Sequence, residues 1–233
     1  MNNPDFSLPW LLASGPPTQL PDPQTALTEP NGLLAAGGAL TPPWLRYAYA
    51  HGIFPWFSGG EPILWWSPDP RCVLHPERVR HTRSLGQSIR NRGYTTTMNL
   101  DFAGVMRACA APRAQASGTW ITEQMQRAYL QLHQEGQALS VETWHNGTLV
   151  GGLYGVQVGG LFCGESMFAT SRDASKVALA WLAGSAQILG ISLIDCQLPN
   201  NHLLSLGCEV LSRSAFLGLI PALLTPTPSG TTK

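Results

Sequence analysis

Charge is scarce in this sequence: 14 Lys and Arg balance 14 Asp and Glu, together 12% of 233 residues, for a formal net charge of zero. No global field therefore favours a polyanion. Long apolar runs are also lacking, so no membrane span is expected. The N-terminus shows no cationic stretch followed by an apolar run, which argues against a signal peptide. Cysteines number five (Cys72, Cys109, Cys163, Cys196, Cys208), an odd count with no Cys-x-x-Cys pair. Zinc spacing is absent and a disulfide framework is not expected, so a reducing cytoplasm is the simplest setting and no metal site is expected. There is no internal repeat and no glycine-rich phosphate loop.

What remains is a chain built to fold. Apolar residues make up 44% and eight are Trp, a composition that excludes disorder and supports a substantial core. The few charges are unevenly spread. Arg71, Arg78, Arg80, Arg83, Arg90 and Arg92 lie within one stretch opposed only by Glu77, a pattern that suits either contact with one part of a polyanion or a solvated basic helix.

Residues 1–40 are Pro-rich and read as an extended arm and loops. Thr41 opens a short helix with Pro42 and Pro43 in its first turn, ended by His51-Gly52. Short strands are expected around Phe54–Phe57 and Ile63–Ser67, a helix over 77–92, a strand over 94–98, and helices near 101–110 and 122–135. Strands over 139–144, 149–158 and 161–169 follow, joined by turns at Asn146-Gly147 and Gly159-Gly160. Asp173 is expected to cap a helix running to about Leu189, stopped by Gly190. A strand over 191–197, a helix over 200–206, a strand over 208–211 and a helix over 213–224 complete the reading. This is an α+β order. The Pro/Gly/Trp-rich part, 1–80, is expected to form a small N-terminal domain, and 81–233 the larger one.

Three residues carry chemistry on pattern alone. Asp195 and Gln197 stand two apart on a strand, which places both side chains on one face and Cys196 on the other. An Asp there can orient a Gln amide, or both can simply satisfy strand-end hydrogen bonds. Glu165 interrupts an apolar strand, where a carboxylate is costly without a partner; an internal salt bridge with Lys176 or Arg71 is one solution and a cationic ligand another. A thiol-nucleophile reading of Cys163, Cys196 and His202 has nothing to bring the groups together.

Five segments in order resemble the leucyl/phenylalanyl-tRNA–protein transferase family: Glu29-Pro30-Asn31-Gly32-Leu33-Leu34-Ala35; Gly52–Phe57 with Ile63–Arg71; Gly118-Thr119-Trp120-Ile121; Leu161–Phe168; and Leu193–Gln197. Together they cover roughly residues 29–212. The chain departs from the family pattern at Ala39, where an acid is usual, and at Leu153, where Met is common. The strand and helix order also resembles the Gcn5-related N-acetyltransferases, which suggests acyl transfer by analogy of fold.

The resemblance implies an enzyme that moves Leu or Phe, with Met as a third donor, from aminoacyl-tRNA to the α-amino group of an N-terminal Arg or Lys, creating a degradation signal. Aminolysis of an activated ester needs positioning, proton removal and oxyanion stabilisation, and requires no cofactor. By the same resemblance Gln197, supported by Asp195, helps draw a proton from the attacking amine, and Glu165 pairs with the acceptor's cation. Trp56 and Trp120 grip the terminal adenosine. Leu153, Met167 and Phe168 are candidates for the donor side-chain pocket, Met167 being adaptable in shape. Ser175 and Lys176 at a helix start, with Arg71, are candidates for tRNA phosphate contacts. The default assembly is a monomer. A CoA-dependent acetyltransferase and a non-catalytic tRNA- or peptide-binding module are the competing readings; the first lacks a phosphate-cradling loop before residue 173, and the second leaves Glu165, Asp195 and Gln197 without a purpose.

Overall fold

The computed structural model describes residues 8–111 and 121–225. Two sheets organise them. The smaller has four strands, β1 (Trp10–Leu11), β2 (Leu33–Gly37), β3 (Phe54–Pro55) and β4 (Leu64–Trp66), in the order β1-β2-β4-β3. Helix α1 (Pro42–Ala50) leads from β2 to β3, with both prolines in its first turn, where their missing N–H groups cost nothing.

The larger sheet has seven strands: β5 (Arg71–Leu74), β6 (Tyr94–Met98), β7 (Ala138–His145), β8 (Thr148–Val158), β9 (Leu161–Ala169), β10 (Leu193–Gln197) and β11 (Glu209–Leu211). Their order is β11-β5-β10-β9-β8-β7-β6. Every pairing is antiparallel except β9 with β10. Because β5 belongs here, the chain passes from one sheet to the other between Trp66 and Arg71, ahead of residue 80. Six further helices surround the sheets: α2 (Arg83–Asn91), α3 (Phe102–Ala110), α4 (Glu123–Gln134), α5 (Ala174–Leu189), α6 (Asn201–Leu206) and α7 (Arg213–Leu224).

Alternation along the strands gives the large sheet two apolar faces. On β9 and β10, Leu161, Cys163 and Leu193 join a core shared with α1, α3, α4, α7 and the small sheet. Phe162 and Ile194 instead join a core shared with α5. Helix α5 presses its first turn onto β8 at Gly151, where a Cβ would come within 2.5 Å of the Ala174 Cβ, so only glycine fits.

Three local expectations are revised. The helix expected over 77–92 is a 3₁₀ turn at Pro76–Arg78 followed by α2. Between them Val79 is buried, the Arg80 N–H bonds to the Leu206 carbonyl, and Thr82 starts α2 by accepting from the Leu85 N–H. The Pro-rich arm contains β2, a continuous apolar strand with little alternation to reveal it. Asp173 occupies the N-cap of α5 with φ of +61°, but its carboxylate accepts from Ser88 Oγ and Lys176 Nζ instead of capping backbone N–H groups.

Candidate functional site

Two adjacent bulges create the site. Strands β9 and β10 run in register through the pair Cys163–Asp195. Immediately beyond, the β8–β9 register passes from Gly155–Gly164 to Tyr154–Ser166, leaving Glu165 without a cross-strand partner. The β10–β5 register passes from Asp195–Val73 to Gln197–Cys72, which leaves out Cys196. A bulge bends its strand and re-aims side chains. Where these two strands stop pairing, a cavity of about 770 Å³ opens, walled by Gly164–Thr170 of β9 and its exit, by Ile194 and Cys196–Leu198, and by Phe54–Trp56 from the small sheet.

At one side of the cavity Glu165 is held by two buried phenols. Tyr49 of α1 donates to its Oε1 at 2.7 Å and Tyr129 of α4 to its Oε2 at 2.9 Å, and the two phenol oxygens lie side by side. Burial pushes the Glu165 carboxyl up to about 7, against the two phenol bonds, which favour the ionised form. Tyr154, also on the cavity wall, is buried and its hydroxyl has no hydrogen-bond partner. Both internal salt bridges that the sequence allowed for Glu165 are pre-empted. Lys176 pairs with Asp173 at 3.1 Å and Arg71 with Asp195 at 2.6 Å.

The rest of the wall is largely apolar. Leu153 and Met167 are direct cross-strand partners, and both line the cavity with Phe168, Leu74, Phe162, Leu179 and Ile194. Trp56 stands at the rim, 42% exposed. Its carbonyl accepts from Trp66 Nε1 at 2.6 Å and its ring meets Trp66 edge-on at 5.5 Å, so the indole is braced from behind. Ser175, Asn200 and His202 add polar groups.

The structure thus brings Glu165, Gln197, Trp56, Leu153, Met167, Phe168 and Ser175 to one cavity. Trp120 lies outside the described residues. Asp195, Arg71 and Lys176 stand apart from the lining, and two of these positions correct the sequence reading. Asp195 does not share a solvent-facing side with Gln197, because the extra residue at Cys196 breaks the two-residue alternation. Its carboxylate is sealed, accepting from Arg71 Nε and Nη2 and from the backbone N–H of Gln197 at 3.0 Å. Asp195 therefore fixes Gln197 through the main chain, where Gln197 takes a left-handed φ of +56°. Arg71 is not placed to meet a phosphate: it is 1% exposed, bonds also to the Gly52 carbonyl, and lies against the rings of Phe54 and Phe216. Tyr49, Tyr129 and Tyr154 escaped sequence reasoning, since nothing local marks tyrosines on α1, α4 and β8 as converging on one carboxylate.

The profile of the leucyl/phenylalanyl-tRNA protein transferases matches residues 73–221, and that of their N-terminal domain residues 38–69. The chain belongs to this family. It is an aminoacyltransferase. Leucyl/phenylalanyl-tRNA–protein transferases are 58% identical to it in Pseudomonas fluorescens SBW25 (84% of this chain, 86% of that one) and 57% in Chromohalobacter salexigens (90% and 81%). The same-named protein of Pseudomonas paraeruginosa PA7 is 52% identical over 96% of this chain and 98% of its own. Among solved structures, a GCN5-related N-acetyltransferase from Kribbella flavida superposes with a TM-score of 0.41 at 12% identity, covering 73% of this chain and 61% of that one. The α+β architecture described above rests on the strand order itself. Among the described residues, no helix is long and apolar enough to cross a membrane.

Proposed function

We propose that the cavity is where the aminoacyl end of a tRNA meets the N-terminus of an acceptor protein, and that this transferase moves Leu or Phe, with Met as a third donor, onto proteins that begin with Arg or Lys. The observation that carries this reading is a carboxylate, Glu165, alone among the described residues on the wall of an otherwise largely apolar cavity whose rim bears an exposed, braced indole.

Each part has a physical role. The apolar wall of Leu153, Met167, Phe168 and Phe162 takes the donor side chain. One methylene changes binding by only ~1–3 kcal/mol, so such a wall accepts Leu, Phe and Met together. Trp56 stacks on the terminal adenine, worth ~1–3 kcal/mol. Glu165, ionised, pairs with the guanidinium or ammonium of the acceptor's first side chain. Its two phenol donors hold the carboxylate in place and favour the charged form that the cation needs. The α-amine, once neutral, attacks the ester carbonyl. The C–O bond to the ribose breaks as the new amide forms, and the proton lost by the amine offsets the one taken up by the departing ribose oxygen. Gln197, fixed by the bulge and by Asp195, positions the amine; an amide is too weak a base to hold the proton itself. Arg78, Arg80, Arg83, Arg90 and Arg92 are exposed along the segment leading into and through α2, and they supply phosphate contacts.

The test is transfer of radiolabelled leucine from leucyl-tRNA to a protein beginning with Arg, beside a Gly-start control, with phenylalanyl- and methionyl-tRNA in parallel. Label on the Arg-start protein alone, lost in Gln197→Ala, supports the reading. Folded wild-type protein that labels both acceptors equally, or neither, contradicts it.

A further inference from the structure

The cavity wall carries a second chemical feature that the transfer reaction does not use. Cys72 of β5, Cys196 at the β10 bulge and Cys208 just ahead of β11 converge across three neighbouring strands. The Cys208 thiol points at the Cys196 sulfur from 3.8 Å, and Cys72 sits on β5, the strand between β10 and β11. Sequence spacing hides this cluster, since its members are 124 and 12 residues apart. Cys196 is partly exposed and lines the cavity, whereas Cys72 is fully buried and Cys208 nearly so. One thiol is therefore reachable from the cavity, and one resolving thiol, Cys208, points at it from behind. Among the described residues no group of three His, Cys, Asp or Glu side chains is placed to hold a metal ion.

We propose that this cluster is an oxidation site: a peroxide entering the cavity oxidises Cys196, Cys208 resolves it to a disulfide, and the bridge stops aminoacyl transfer. In the first step the Cys196 thiol attacks the peroxide O–O bond, giving a sulfenic acid and water. The Cys208 sulfur then attacks the sulfenyl sulfur. The S–O bond breaks, and the departing hydroxide leaves as water with the Cys208 proton. Two thiols are oxidised and one peroxide is reduced. Cys196 is the sulfur that a peroxide in the cavity meets, and the Cys208 sulfur lies 3.8 Å from it.

The structural consequence follows from the strand order. β5 lies between β10 and β11, so a bridge from Cys196 to Cys208 must close 3.8 Å to ~2 Å across an intervening strand, which requires the backbone to move. The segment it draws in, 197–207, begins with Gln197 and contributes Leu198, Asn200, His202 and Leu203 to the cavity wall. A bridge held under such strain is readily reduced, as a reversible switch needs to be.

The experiment exposes native enzyme to graded hydrogen peroxide, then measures leucyl transfer and maps disulfides by alkylation and peptide mass spectrometry. A Cys196–Cys208 bridge is expected to accumulate in step with a loss of transfer on the order of tenfold or more, as displacement of a positioning residue by ~1 Å produces. Dithiothreitol restores activity. Cys208→Ala, which alters no cavity-lining residue, starts at wild-type activity and keeps it under peroxide. The mapping on wild-type protein stands even if that variant folds poorly. Absence of the bridge, a bridge without loss of transfer, or a loss that dithiothreitol does not reverse (as oxidation of Met167 to its sulfoxide would give) overturns the proposal.

Discussion

Arg71 and Asp195 meet fork to fork, with Nε and Nη2 at 2.8 and 2.6 Å from the two carboxylate oxygens and both side chains 1% exposed. The pair closes the end of β10 where the cavity begins, and the same carboxylate takes the Gln197 N–H. Removing one partner of a buried pair leaves an uncompensated charge, whereas replacing both with apolar groups is often close to neutral. Asp195→Leu is therefore expected to lose about 3–5 kcal/mol in urea unfolding, and Arg71→Met/Asp195→Leu to recover most of it. The double variant nonetheless lacks the acceptor for the Gln197 N–H, so its transfer rate stays low. A stable double variant with wild-type transfer would show that Asp195 has no part in placing Gln197.

Gln197 itself separates backbone from side chain. A left-handed φ costs a non-glycine residue about 1–2 kcal/mol, while glycine gives back about 0.5–1 kcal/mol through the freedom it loses on folding. Gln197→Gly should be as stable as wild type or up to about 1.5 kcal/mol more stable, yet transfer as slowly as Gln197→Ala. Wild-type transfer by the glycine variant would mean that the bulge matters and the amide does not.

Glu165 predicts a pH signature. Its carboxyl is raised to about 7 from an ordinary 4.5, mainly by burial, so between those values the folded protein holds a proton that the unfolded chain has lost. The stabilisation this provides is complete below about 4.5 and is lost as pH rises to about 7. Glu165→Gln, which stays neutral, should therefore gain stability relative to wild type across that window, by denaturant unfolding at several pH values. Acceptor binding runs the other way: KM for an Arg-start peptide falls as pH rises through about 7, because the cation needs the ionised form. Tyr49→Phe removes a phenol bond that favours ionisation, so its KM profile shifts to higher pH. An unshifted profile contradicts the role given to the phenols.

Local patterns carried most of the architecture. Strand β6 and the hairpin strands β7 to β9 fall close to where alternation and the Asn146-Gly147 and Gly159-Gly160 turns put them. Asp195, Gln197, Glu165 and Trp56 were marked by residue type and by resemblance. What alternation could not show is a bulge, since one inserted residue changes every facing side chain after it without changing the sequence pattern. That is why Asp195 turned inward and Cys196 reached the cavity. Partnerships across long separations were equally hidden. Glu165 meets Tyr49 from 116 residues away, and Arg71 meets Asp195 from 124, so an arginine read as a phosphate contact and an acid read as support for a Gln side chain form one buried pair.

The central claim is that the Glu165 carboxylate recognises the acceptor's cation, and its most direct test uses a neutral copy of that cation. Transfer of leucine to a peptide beginning with Arg is compared with transfer to one beginning with citrulline, for wild type and Glu165→Gln. A charge-assisted hydrogen bond contributes about 1.5–3 kcal/mol, so wild type should prefer Arg by roughly 10- to 100-fold in kcat/KM, and the variant should treat the two alike. A Glu165→Gln enzyme that keeps the wild-type preference for Arg would place the recognition elsewhere and contradict the account.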